Sequence, residues 1–415
     1  MLAQSGQMMT TDRTPIRRRL AIGRTAHSPP WSGRKTRHRS IVPPLAATLA
    51  ATLALRAGIS LVRAARERRV SVDRERDRRI GLSPQEDVAE GLQRMAVGQL
   101  DLAIEALEAL DGEGPPERGV HETRKALKRL RAMLSLLAAE LGDEVYARED
   151  AALRDAGRRL SGSRDAEVLL ATLEGLIESH PDKLAGRGGL ARLRANLRSE
   201  RDRAWRATLA DSAARALTLE ELRACRVRVA AWQLAQRDGV GLALPGFTRV
   251  YRQGRKRFRR AARGRGERTL VLHRWRKRVK DLRYAAEALE WRADDRESGV
   301  KPKGKRARRG RARARKQGAW LRRLARRADD LGELLGQEHD LAVLAEYVRT
   351  LRGGAAPTPR VGARTRRRIL KLIAARRRKL RKRALSDGER LYRPAPARLA
   401  SRLASAHPRA RPPLS

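Results

Sequence analysis

Val120–His121–Glu122–Thr123–Arg124–Lys125–Ala126–Leu127–Lys128–Arg129–Leu130–Arg131 recurs in outline as Leu272–His273–Arg274–Trp275–Arg276–Lys277–Arg278–Val279–Lys280–Asp281–Leu282–Arg283, a shift of 152 positions (His121 to His273). Such self-similarity marks an internal duplication. Read at about 100° per residue, each copy divides into two faces. In the first, Arg124, Lys125, Lys128 and Arg131 lie within about 80° of His121, while Leu127, Leu130, Leu134 and Leu137 gather opposite. In the second, His273 lies with Arg276, Lys277, Lys280, Arg283 and Tyr284, opposite Leu272, Trp275, Val279, Leu282 and Leu289.

Like charges stacked along one helix face repel by about 0.2–0.5 kcal/mol per i,i+4 pair unless anions intervene. A chain of phosphates suits such a face: Arg offers a planar fork of donors, Lys a point charge, and protonated His a donor that phosphate itself favours. A merely solvated basic face explains the charge of one helix. It does not explain a histidine at the same point of two copies, nor does a buried core histidine fit the charged side.

The rest of the chain agrees with helices. Its 415 residues allow two or three domains, 41% are hydrophobic and only 3% aromatic, with Leu, Ala and Arg dominant and no run of period-two alternation. The predicted fold class is all-α. Lys and Arg number 96 against 47 Asp and Glu, a net charge of +49, so the partner is polyanionic; nucleic acid, polyphosphate and anionic membrane all qualify. The single cysteine, Cys225, rules out an internal disulfide or a cysteine-built zinc site and reads as a small core residue.

Residues 1–80 read as a disordered, basic extension. Their apolar patch, Leu45–Leu55, covers about half of what a membrane-spanning helix needs, so stable membrane insertion is not expected. Arg34, Lys35, Arg37 and Arg39 before it imitate a signal peptide but start far from Met1.

Ser83–Pro84–Gln85–Glu86 carries a helix-start pattern, and a helix follows to about Leu110. The first basic helix spans 117–140 and is stopped by Gly142; further helices are expected near 144–160, 164–179, 188–211 and 218–236. The order then returns near 246–263, 269–292, 318–335, 338–352 and 363–386. Gly157, Leu160, Asp165, Val168 and Leu169 reappear as Gly332, Leu335, Asp340, Val343 and Leu344, now shifted by 175 (Asp165 to Asp340). The larger offset places an insertion at 294–318, whose ten Lys and Arg between Lys301 and Lys316 read, with Pro302, Gly304 and Gly310, as a disordered loop.

The H-x-x-R-K-x-x-K-x-x-R spacing in both halves, with Arg164–Asp165 after a helix break, resembles the CHAD family, named for conserved histidines on an α-helical domain. The resemblance covers about 80–393. It implies two four-helix bundles related by a pseudo-twofold axis, with basic helices lining a central groove; the halves would be 81–237 and 240–393, and 394–415 a disordered tail. It further implies non-catalytic binding of inorganic polyphosphate, association with polyphosphate granules and a cytoplasmic location. The ligand-facing residues it implies are His121, Arg124, Lys125, Lys128 and Arg131, then His273, Arg276, Lys277, Lys280, Arg283 and Tyr284. Three departures stand out: Arg278 at the edge of the apolar face, Asp281 where the first half has Arg129, and His339 where the first half has Arg164. Asp165 and Asp340 read as helix-start or ion-pair residues.

Catalytic patterns are missing: no P-loop, Gly-x-Gly-x-x-Gly, H-x-x-x-H or E-x-E-x-K motif occurs, so neither enzyme chemistry, cofactor nor metal is expected. The competing function is sequence-independent nucleic-acid binding, favoured by the 301–316 run and by twelve Lys or Arg between Arg364 and Arg383. If the two histidines touch phosphate, affinity should fall as pH rises through about 6 to 8. Oligomeric state is not legible.

Overall fold

The structure, a computed structural model, describes residues 81–82, 86–111, 116–184, 188–235, 240–264, 266–290, 305–351 and 361–405, with the backbone alone at 111, 188 and 305–317. Residues 1–80, and with them the expected extension, lie outside this set. The described residues form eleven α-helices, α1 (Val88–Glu108), α2 (Pro116–Arg159), α3 (Gly162–Glu178), α4 (Pro181–Leu184), α5 (Gly188–Ala210), α6 (Ser212–Ala230), α7 (Leu244–Ala262), α8 (Arg268–Ala288), α9 (Lys305–Thr350), α10 (Ala363–Tyr392) and α11 (Pro396–Ala404), with a short 3-10 turn at Ala109–Asp111 after α1. The fold is all-α, as the composition predicts.

Helix α1 starts just after the expected signal. Asp87 is the cap, its Oδ1 accepting the Ala89 amide at 2.7 Å, while Glu86 pairs with Arg94 at 2.6 Å. Ser83–Gln85 lie outside the described residues. Helix α2 is broken at Gly142, where φ 77° and ψ 163° leave the helical region; glycine reaches that conformation without a Cβ clash. The break folds the second half of α2 back beside the first and ends the basic stretch, as expected.

Two expectations are corrected. The run 305–316 is not a loop but the opening of α9, which continues without interruption to Thr350 and absorbs both helices expected near 318–335 and 338–352. Ala, Arg and Lys are strong helix formers, and the buried ridge of Leu321, Leu324, Ala325 and Ala328 anchors the helix they extend. The tail is not uniformly disordered either. Residues Pro396–Ala404 form α11, with Leu399 and Leu403 one turn apart and buried against α7.

The apolar faces pack as the periodicity requires. Leu127, Leu130, Leu134 and Leu137 of α2 and Leu272, Trp275, Val279, Leu282 and Leu289 of α8 are all buried, each large side chain contributing about 1.5–3 kcal/mol. They join a large core with α1, α6, α7, the first part of α9, the end of α10 and α11. A smaller core unites α3, α4 and α5 with the end of α9 and the start of α10. Packing therefore crosses between the sequence copies rather than closing within each.

Glycine permits the closest approach. A Cβ on Gly246 of α7 would lie 2.1 Å from the Leu136 carbonyl oxygen, so α7 can touch the α2 backbone only where a side chain is absent. Cys225 is fully buried, its thiol 3.2 Å from the buried Glu149 carboxylate that Arg228 grips at 2.8 and 2.9 Å. Burial pushes that thiol up, beyond the range of a reactive thiolate. Among the described residues no helix is long and apolar enough to cross a membrane.

Candidate functional site

Burying the apolar faces of α2 and α8 against the core turns their basic faces toward shared space, because the two helices pack on each other. Lys128 shows the result. Its ammonium is held down to about 8, first by the water it loses and then by Arg124 on its own helix, Lys280 and Arg276 of α8, and Arg164 of α3. Part of the Lys128 side chain nonetheless stays at the surface, where a ligand can reach it. Lys280 is lowered for the same reasons, burial first and Arg276 next, with Glu333 opposing at 3.8 Å. The two sequence copies thus place cations within electrostatic reach of one another.

The remaining expected residues divide by what already holds them. Arg124 donates to the carbonyls of Gly157 and Leu160, both at 2.9 Å, the open carbonyls where α2 ends. Arg131 pairs with Asp150 at 2.7 Å, and Lys125 meets Glu122 at 3.4 Å. Arg283 bridges Glu287, at 2.7 Å, and Asp329, with its guanidinium 5.3 Å above the Tyr284 ring. Tyr284 is only 8% exposed, so the ring supports Arg283 from beneath. His121 and Lys277 are exposed. The His121 imidazole is held below its ordinary range by partial loss of solvent, then by Arg164, Lys125 and Lys128, with Glu122 opposing.

In the second copy the chemistry is less satisfied. α9 runs straight through the position where α2 ends, so no free carbonyls receive Arg276; its Nε is buried without a hydrogen-bond partner, and its guanidinium lies against Gly336. His273 packs on His339, the rings 4.3 Å apart and tilted by 38°. Both Nδ1 atoms are also buried without a partner. The His273 imidazole is held down to about 4, first by burial and then by His339, Lys277 and Arg276. Burial and Arg276 lower His339 as well, while Asp340 and Glu338 pull the other way. Three unfilled ring and guanidinium nitrogens in mutual electrostatic reach can receive an anion's oxygens, which would restore the hydrogen bonds that burial removed.

Sequence reading did not place His339 or Arg164 in the site. The signal was present: the repeat aligns them with each other, and both stand beside the aligned aspartates. Asp165 lies in the first turn of α3 and is the leading favourable charge on Arg124. Asp340 sits near Arg276, raised by burial and opposed first by that arginine. Arg278 turns aside to Gln253 at 2.9 Å and Asp281 at 3.0 Å. Among the described residues no three of His, Cys, Asp and Glu are placed to hold a metal ion.

The CHAD domain profile matches residues 98–309, a span that contains both histidine helices. The crystal structure of the CHAD domain from the plant Ricinus communis is similar at 18% identity and a TM-score of 0.42, covering 80% of this chain and 96% of that one. No curated protein matches the chain.

Proposed function

This chain belongs to the CHAD domain family, and from that premise we propose that it binds inorganic polyphosphate without catalysing a reaction on it. The observation that carries the reading is the convergence of Lys128 with Lys280, Arg276, Arg124 and Arg164 from three helices, whose repulsion adds to lost water in lowering the Lys128 ammonium. Folding does not drive like charges together unless a partner compensates. A flexible chain of phosphates compensates at each rung and is slim enough to follow a groove between helices.

Within this reading Lys128, Lys280, Arg276 and His273 are the contacts, His121, Lys125 and Lys277 extend the basic path, and Arg124, Arg131, Arg283 and Tyr284 shape it. The binding unit runs from about 81 to the end of α11, and the protein would gather at polyphosphate granules in the cytoplasm. Titration with polyphosphate and with duplex DNA at equal phosphate, in about 150 mM salt, tests it. Polyphosphate is expected to bind at least about tenfold more tightly, because the groove rejects a duplex by shape. Polyphosphate affinity that survives Lys128→Glu/Lys280→Glu unchanged would overturn the proposal.

A further inference from the structure

Helix α7 carries a second basic surface that the groove does not use. One of its faces is buried through Gly246, Phe247, Val250, Tyr251 and Gly254. The other lines an open cleft of about 570 Å³, closed at one side by Pro396 of α11, whose walls are otherwise all Arg and Lys. Arg255 is tied to the Tyr392 carbonyl at 3.0 Å. Arg252, Lys256, Arg257, Arg259, Arg260 and Arg263 form no ion pair or side-chain hydrogen bond with any described residue, and α7 contains no acid to offset them.

We propose that this cleft is a second anion site whose ligand is the phosphodiester backbone of nucleic acid, bound without sequence preference. Its cations fall into rungs at 252, 255–256, 259–260 and 263, each about one helical turn, or 5.4 Å, from the next. The groove helices repeat their cations at the same interval, at Arg124, Lys128 and Arg131, so the choice of polymer rests on the shape of the surface. The surface is open along its length, so a wide polymer can lie on it. No aromatic of α7 is offered for base stacking: Phe247 and Tyr251 are fully buried, and Phe258 packs inward, 5.4 Å from Trp275 and 5.9 Å from Tyr392. Anionic membrane fits less well, because the apolar face that would insert is already spent on the core. Arginine dominance matches phosphate oxygens, which its fork engages in pairs.

The test uses the full chain. Binding of a labelled mixed-sequence duplex is measured against salt for the wild type and for three variants. These are Lys256→Glu/Arg259→Glu/Arg260→Glu on α7, Lys128→Glu/Lys280→Glu in the groove, and Arg364→Glu/Arg367→Glu/Arg368→Glu on the exposed start of α10 as a charge-matched control. The α7 variant is expected to lose duplex affinity by more than about tenfold and to flatten the log–log salt slope by about 3, while keeping polyphosphate affinity. The control should leave the duplex nearly unaffected. A glutamine version of the α7 triple, which keeps the helix formers and removes only charge, should show the same direction. Unchanged duplex affinity, or equal loss in the control, overturns the proposal. So does loss of binding to phosphatidylserine vesicles where the duplex is unaffected, which would reassign the cleft to membrane. Failure of polyphosphate binding in the groove variant bears on the other site alone.

Discussion

Acidification should tighten polyphosphate binding, and His273 sets how much. In the free protein its imidazole is held down to about 4. The groups that face it are Arg276 and Lys277 on α8 and His339 on α9; around that second ring stand Glu338 and Asp340 on α9 and Arg377 on α10. A phosphate oxygen at the empty Nδ1 favours the charged ring and cancels the repulsion. If binding only restores the ordinary value of 6.5, the proton and the anion are coupled by about 3 kcal/mol. Linkage then gives about a twentyfold gain in affinity between about pH 7 and about pH 5, levelling below about pH 4. The window is more acidic than the pH 6 to 8 expected for unperturbed histidines. Calorimetry in buffers of different ionisation enthalpy reads proton uptake directly, and His273→Gln should remove most of it. An affinity independent of pH, or an equal slope in His273→Gln, would refute the reasoning. The same shift carries a stability effect of opposite sense. The unfolded chain takes the proton first, so folding stability should fall as pH drops from about 6.5 to about 4.

The two aligned arginines should separate in a melting experiment. Arg124→Ala leaves the carbonyls of Gly157 and Leu160 open and should cost about 2–3 kcal/mol of stability, whereas Arg276→Ala breaks no hydrogen bond to a described residue and should cost polyphosphate affinity instead. Equal stability losses would show that the continuous α9 supplies Arg276 with something the geometry does not contain. Gly246→Ala should destabilise by about 3 kcal/mol or more in denaturant unfolding, since its methyl would meet the Leu136 backbone at 2.1 Å and neither partner can step aside. A neutral result there would mean that α7 can slide on α2.

Periodicity made the helix faces legible because burial alone decides them: Leu130 and Trp275 sit where a stripe at 100° per residue puts them. Gly142 was legible as a stop for the same local reason. The basic opening of α9 was not, since Gly, Pro and dense charge read as a loop while the ridge that anchors the helix, from Leu321 onward, lies beyond the run. The α11 helix was missed although Leu399 and Leu403 carry the right spacing; a nine-residue helix has too little periodicity to stand out beside Pro394 and Pro396. In the site, Arg124 and Arg276 have the same letter in the same register. What distinguishes them is a helix end in one copy and a helix interior in the other, a difference of backbone carbonyls that no side-chain pattern records. The repeat marked His339 by its alignment with Arg164, but not its partnership with His273, which joins residues 66 positions apart (273 to 339) on two helices.

The central claim is that the two sequence copies build one site rather than two. A double-mutant cycle on Lys128→Gln and Lys280→Gln, read as polyphosphate affinity at fixed salt and pH, tests it most directly. Each cation lies in the other's field, so one phosphate chain spanning both should give a coupling energy of about 0.5 kcal/mol or more, with one chain bound per protein. Strictly additive losses, or two independent binding events with one abolished by each substitution, would contradict a shared groove.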